Sequence, residues 1–228
     1  MPAPPEPPPD YRQQLATIRD ERGYTLSYHE IYARTEPAFL EAYARLYRRF
    51  ALDQRYLSPR ERELIWVGLL ATDEENVGTL HVERGYDAGL SADEMAEAVA
   101  VAGAAAAWRP LFFAHRAWGH TLPLDHLSRY DALLEVAAPH LSAQEVQLIA
   151  LLTHGVREEE DAFLHHLGRL YADGIDERCL AEAVSYLLLP CGANTLLWAT
   201  DLWLSAIESG RITPTGALMD VNTRTRRS

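Results

Sequence analysis

The chain has 228 residues, 48% of them hydrophobic, and a formal net charge of −12. That length and apolar content can supply the core of one large or two small domains. The acidic balance excludes a nucleic-acid binder, because neutralising phosphates needs a basic face and the one basic cluster is Arg224, Arg226 and Arg227 at the end of the chain. Cys179 and Cys191 form no C-x-x-C, so they predict free thiols in a reducing, cytoplasmic setting rather than a disulfide framework or a zinc site.

In chain order, residues 1–10 hold six prolines and predict a disordered or polyproline II lead-in, with none of the layout of a signal peptide. Residues 11–56 read as an N-terminal helical arm. Leu15 and Ile18 fall in one helical stretch, and Phe39, Ala42, Tyr43, Leu46 and Phe50 recur at three- and four-residue steps as a core-facing stripe. The body then states one pattern twice, over 57–122 and 123–210. At a shift of 84, Leu57, Ser58, Glu61, Leu64 and Ile65 fall on Leu141, Ser142, Glu145, Leu148 and Ile149. After a one-residue insertion the shift becomes 85, and His81, Arg84, Tyr86 and Gly89 fall on His166, Arg169, Tyr171 and Gly174. Trp118 falls on Trp203 in the same register. A tandem repeat is the expected organisation.

Each repeat opens on a capping box, Ser58-x-x-Glu61 and Ser142-x-x-Glu145, and continues into a helix apolar almost all round. A histidine-bearing helix follows and ends at Gly89 or Gly174, where glycine can take the left-handed conformation that closes a helix. An alanine-rich helix and an aromatic-rich one complete the unit. No segment alternates as strands do, so the expectation is all-α. No apolar run is long enough for a membrane span, and residues 211–228 read as a flexible tail.

The order Leu-Ser-Pro-x-x-x-Glu-Leu-Ile, then a helix with His81, Gly89 eight residues on, and Leu-Ser-x-x-Glu before an alanine-rich helix, resembles the carboxymuconolactone decarboxylase and alkyl hydroperoxidase D-like family. The resemblance implies a helical bundle, here of two tandem repeats. In the peroxidase branch the site is a glutamate, a C-x-x-C and a histidine. The glutamate position is Glu63 in the first repeat and Gln147 in the second, the histidines are His81 and His166, and the cysteine positions hold no sulfur. Thiol peroxidase chemistry needs a thiolate and is disfavoured. A carboxylate with an imidazole suits the decarboxylase branch, which the resemblance implies works without metal or organic cofactor on a small-molecule substrate. It also implies a homo-oligomer, a trimer for a two-repeat chain.

The candidate catalytic residues are His81, Glu63 and His166. Against them stand plainer readings: a helix-packing histidine with a satisfied ring, and a surface glutamate paired with Arg60 or Arg62. Because Gln147 is a neutral amide that cannot take up a proton at neutral pH, the first repeat is expected to be active and the second structural. Asp161 and His165 have the spacing of a metal pair, yet no third ligand is apparent, so no metal is expected. The alternative to an enzyme is a non-catalytic binding or scaffold module.

Overall fold

The structure is a computed structural model, and residues 10–219 are described. The chain divides into two compact units, Met1–Asp53 and Gln54–Ser228, and each is taken by itself. The proline-rich lead-in, apart from Asp10, and the basic cluster at Arg224–Arg227 lie outside the described residues.

The first unit holds α1 (Tyr11–Arg22), α2 (Ser27–Thr35) and α3 (Pro37–Tyr47), the last running into a π-helical turn at Arg48–Leu52. Its small core joins Ile18, Ala33 and Leu40, with Leu15, Tyr28 and Tyr32 packed against it. The expected stripe on α3 is corrected here: Phe39 and Leu46 are exposed, while Leu40 and Tyr47 are buried. Two apolar stripes lie one residue apart on this helix, and packing against α1 and α2 selects between them. Arg22, buried, stacks its guanidinium 3.7 Å from the Tyr47 ring centroid.

The second unit runs α4 (Pro59–Thr72), α5 (Thr79–Asp87), α6 (Ala92–Ala105), α7 (Trp108–Trp118) and α8 (His126–Ala137), then α9 (Ala143–Val156), α10 (Glu160–Ala172), α11 (Glu177–Ser185), α12 (Leu188–Cys191) and α13 (Ala193–Glu208). No strand occurs among the described residues. Helices α4 and α9 pack on each other at the centre, and α6 lies against both. The central pair is buried on nearly every face, which is why its hydrophobicity shows no stripe: Glu63–Leu70 and Glu145–Gly155 are buried without interruption. Gly68 permits the close approach, since a Cβ there would stand 2.5 Å from Cγ2 of Ile149.

The contacts across this centre come in reciprocal pairs. Arg60 of α4 reaches Glu145 of α9 at 3.3 Å, and Gln144 of α9 donates to Glu61 of α4 at 3.3 Å. Glu97 on α6 accepts from the backbone N–H of His140 at 3.0 Å, just ahead of α9. Glu182 on α11 accepts from the backbone N–H groups of Tyr56 and Leu57 at 2.6 and 3.0 Å, just ahead of α4. Each buried carboxylate thus satisfies the backbone that leads into the other half's central helix. Both capping boxes form as the sequence predicts, and Gly89 and Gly174 close α5 and α10 at φ +84° and +78°.

Two expectations are corrected in this unit. The segment read as a flexible tail from 211 is tied down over its described part: Ile212 is buried, and the N–H groups of Thr215 and Leu218 donate to Glu177 at 3.0 and 2.7 Å. Its polarity hid a fixed position because the bonds run from backbone to a side chain on another helix. The stretch Ala92–Trp118 is, by length and composition, long and apolar enough to cross a membrane, where the sequence reading expected none. It breaks at Ala106–Ala107 into α6 and α7, and α6 buries Met95, Ala98, Val101 and Ala105 in the core of this unit.

Candidate functional site

Helix α4 brings Glu63 to the centre of the fold because its whole middle is buried, and the carboxylate is 0% exposed. Helix α5 faces it with His81, 5% exposed, whose Nδ1 lies 2.7 Å from Glu63 Oε2. The other carboxylate oxygen accepts from Nε of Arg62 at 2.7 Å. Glu63 is therefore not a surface residue in an ion pair, although Arg62 is one of its partners. Burial pushes the His81 imidazole below its ordinary value and outweighs the opposing pull of the Glu63 hydrogen bond and charge; the charges of Arg84 and Arg62 add to the lowering. The ring is neutral near pH 7. Its Nδ1–H donates to the carboxylate, leaving the lone pair on Nε2.

The ring plane is held from one side. Trp66, one turn along α4 from Glu63, stacks on His81 with centroids 4.8 Å apart and planes at 24°, and Tyr186 stacks on the indole at 4.7 Å. Tyr186 donates its hydroxyl to Glu182 at 2.7 Å. The indole N–H of Trp66, 2% exposed, has no hydrogen-bond partner among the described residues. A buried donor left unsatisfied costs roughly 1–3 kcal/mol, so its presence asks for an acceptor.

In the second half the corresponding pair also forms: His166 Nδ1 lies 2.6 Å from Gln147 Oε1, and His166 is 0% exposed. Its surroundings differ from those of His81. Its Nε2 lies 2.8 Å from the hydroxyl of Tyr130 on α8, that hydroxyl lies 2.7 Å from Nε2 of His154 on α9, and His154 Nδ1 lies 2.6 Å from Oε2 of Glu159. The sequence reading missed Tyr130, His154 and Glu159. Tyr130 lies outside the repeated pattern, His154 falls on Leu70 in the repeat register, and the acidic run 158–161 reads as a solvated helix start. Arg62 is an expected partner of Glu63, and only the fold sets Trp66 against His81.

The metal-like spacing of Asp161 and His165 leads elsewhere. His165 Nε2 faces Oδ1 of Asp131 on α8 at 3.4 Å, and among the described residues no group of three His, Cys, Asp or Glu side chains is arranged to hold an ion. Cys179 and Cys191 are free. Burial raises both thiols, Cys191 to about 11, which keeps them protonated and poor as nucleophiles.

No curated protein and no solved structure matches the chain. The model of the carboxymuconolactone decarboxylase family matches residues 37–118, a span that includes Glu63, Trp66 and His81. Over that span the chain is similar to the carboxymuconolactone decarboxylase family, and its described residues are helical without strands, consistent with the all-α alkyl hydroperoxidase D-like fold.

Proposed function

We propose that Glu63 and His81 are the acid–base pair of a cofactor-free enzyme acting on a small carboxylated or carbonyl-bearing substrate, by decarboxylation, lactone isomerisation or hydrolysis. The buried 2.7 Å contact between Nδ1 and the carboxylate carries this reading. Glu63 fixes the tautomer and plane of the ring, and Nε2 then takes a proton from substrate and returns it. A neutral imidazole near pH 7 is competent as the base. The unpartnered indole N–H of Trp66, whose ring stacks on His81, is a donor suited to an enolate or carboxylate oxygen. In an isomerisation the same proton leaves one carbon and arrives at another. In a decarboxylation Nε2 first takes up one proton from water, and the ring then gives that proton to the carbon that carbon dioxide has left and returns to neutral.

The test is turnover of a panel of small lactone acids, carboxymuconolactone among them, by the wild-type chain and by His81→Gln, Glu63→Gln and His166→Gln. His81→Gln should lose about 10²–10⁴ of the rate. Glu63→Gln should lose less and shift the pH profile, and His166→Gln should keep the rate. Full activity in His81→Gln, or full loss in His166→Gln with its fold intact, would overturn the assignment.

A second reading is a non-catalytic helical module, favoured by the depth of the pair: Glu63 and His81 are as buried as the leucines around them. No turnover of any panel member, with tight binding of a partner protein, would support it. Under either reading the chain is proposed to assemble with its own copies as a trimer. Val99, Phe113, Trp118 and Tyr86 are each about half exposed, apolar side chains that association would cover. Light scattering coupled to size exclusion should give three chains, and a stable monomer would refute the assembly.

A further inference from the structure

Four side chains in the second half are joined end to end by hydrogen bonds of 2.6–2.8 Å, in the order Glu159, His154, Tyr130, His166, and the chain closes on Gln147. His154, Tyr130 and His166 are each 0% exposed. The two ends meet different cavities. Gln147 lines a cavity of about 270 Å³ with Leu134, Leu141, Val146 and Arg169. Glu159 lines a separate cavity of about 210 Å³ with Trp108, Arg109 and Phe112, and accepts from Nε of Arg109 at 2.5 Å.

We infer that Glu159, His154, Tyr130 and His166 form a proton-conducting chain between these two cavities, with the Gln147 amide as the gate at one end. Hydrogen-bond bookkeeping leads there. A carboxylate can only accept, and each neutral imidazole has one N–H and one lone pair. With Glu159 ionised, His154 must donate from Nδ1 and accept at Nε2 from the Tyr130 hydroxyl. The Tyr130 oxygen then accepts Nε2–H of His166, and the lone pair on His166 Nδ1 faces the N–H₂ side of the Gln147 amide. With the carbonyl side of Gln147 facing His166, the orientation in the structure, His166 donates from Nδ1 and accepts the Tyr130 hydroxyl at Nε2, and the chain holds one more proton, on His154 or Glu159. The two amide orientations therefore differ by a single proton.

The step that interconverts them is balanced. A proton reaches Nδ1 of His166, Nε2–H of His166 passes to the Tyr130 oxygen, the Tyr130 hydroxyl proton passes to Nε2 of His154, and Nδ1–H of His154 passes to Glu159. One proton enters at the Gln147 end and one appears on the carboxylate. Burial holds both imidazoles below their ordinary value, with the charges of His154, His165 and Arg169 adding to it at His166, so neither ring traps the proton in transit. Glu159 at the other end opposes this for His154 by hydrogen bond and charge, and Arg157 reinforces it. For Glu159 burial acts upward, but the hydrogen bonds and charges of His154 and Arg109 outweigh it, so the carboxylate starts ionised. Asp131 is the remaining charged neighbour, paired with His165 and Arg169.

The test is long-range ¹H–¹⁵N correlation of the histidine rings in the ¹⁵N-labelled full-length chain, followed from neutral to acid pH. At neutral pH, His154 should carry its proton on Nδ1 and His166 on Nε2. On acidification both rings should exchange tautomer at one shared midpoint. Tyr130→Phe should uncouple them, with midpoints separated by about one pH unit or more, and Glu159→Gln should abolish the shared transition. Opposite tautomers at neutral pH, independent midpoints in the wild type, or a shared midpoint that survives Tyr130→Phe would overturn the inference. If Tyr130→Phe does not fold, the wild-type tautomers and Glu159→Gln decide the matter.

Discussion

Glu63 accepts from Arg62 and His81 at 2.7 Å each, whereas Gln147 offers His166 a neutral amide at 2.6 Å. The carboxylate fixes one tautomer of its histidine; the amide can present either of two faces. Glu63→Gln removes the countercharge beside a mostly buried Arg62, and breaking such a pair costs about 3 kcal/mol. A urea midpoint lowered accordingly, with helix content unchanged, is the expected result. Gly68 illustrates a different constraint. In Gly68→Ala the new methyl would meet Ile149 at 2.5 Å and the Ala98 carbonyl oxygen at 3.4 Å, so α4 and α9 must move apart. Overpacking of this kind costs roughly 1–3 kcal/mol, and the thermal midpoint should fall.

At the scale of the element, the central helices begin at matching boxes. The Ser58 oxygen accepts from the Glu61 N–H at 3.2 Å while Glu61 Oε2 accepts from the Ser58 N–H at 2.9 Å, and Ser142 with Glu145 repeats the exchange. Ser58→Ala and Ser142→Ala should each cost about 1 kcal/mol. Ser58→Ala should cost the more of the two, because the Ser58 hydroxyl also donates to Glu61 Oε2 at 2.6 Å. Denaturant titration of both variants checks this. Helix ends add a second constraint, because Glu74 and Glu158 stand at φ +57° and +51° just past α4 and α9. Glycine at either position should raise stability by relieving a strain of roughly 1 kcal/mol, unless the lost side chain matters; at 158 it does, because Thr195 donates to Glu158 at 3.1 Å.

At the scale of the molecule, six partly or fully buried imidazoles, His29, His81, His126, His154, His165 and His166, are held below their ordinary value by burial, His29 at about 4. The folded state refuses protons that the unfolded chain accepts near the ordinary value of 6.5. Their contribution is therefore complete above about pH 6.5 and is lost as pH falls through the folded values. His140, exposed and raised by Glu97, acts in the opposite sense. Urea midpoints should be lower at about pH 5 than at about pH 7.5, and equal or reversed midpoints would contradict the burial of these rings.

The sequence by itself determined the helices that share the repeated spacing, their capping boxes, the two closing glycines and the matching places of Glu63 with Gln147 and of His81 with His166, because capping chemistry and helical spacing are local; α8, which carries Tyr130, was not among them. It also placed His81 and Glu63 within one candidate site. What only the tertiary structure decided was which side chains meet. Nothing in the chain order brings Tyr130, His154 and Glu159 to His166, or turns Trp66 onto His81, since those contacts join helices whose spacing along the chain carries no signal. The choice of stripe on α3 and the fixing of residues 212–218 by Glu177 had the same cause. Periodicity states which faces are apolar, and packing decides which of them is covered.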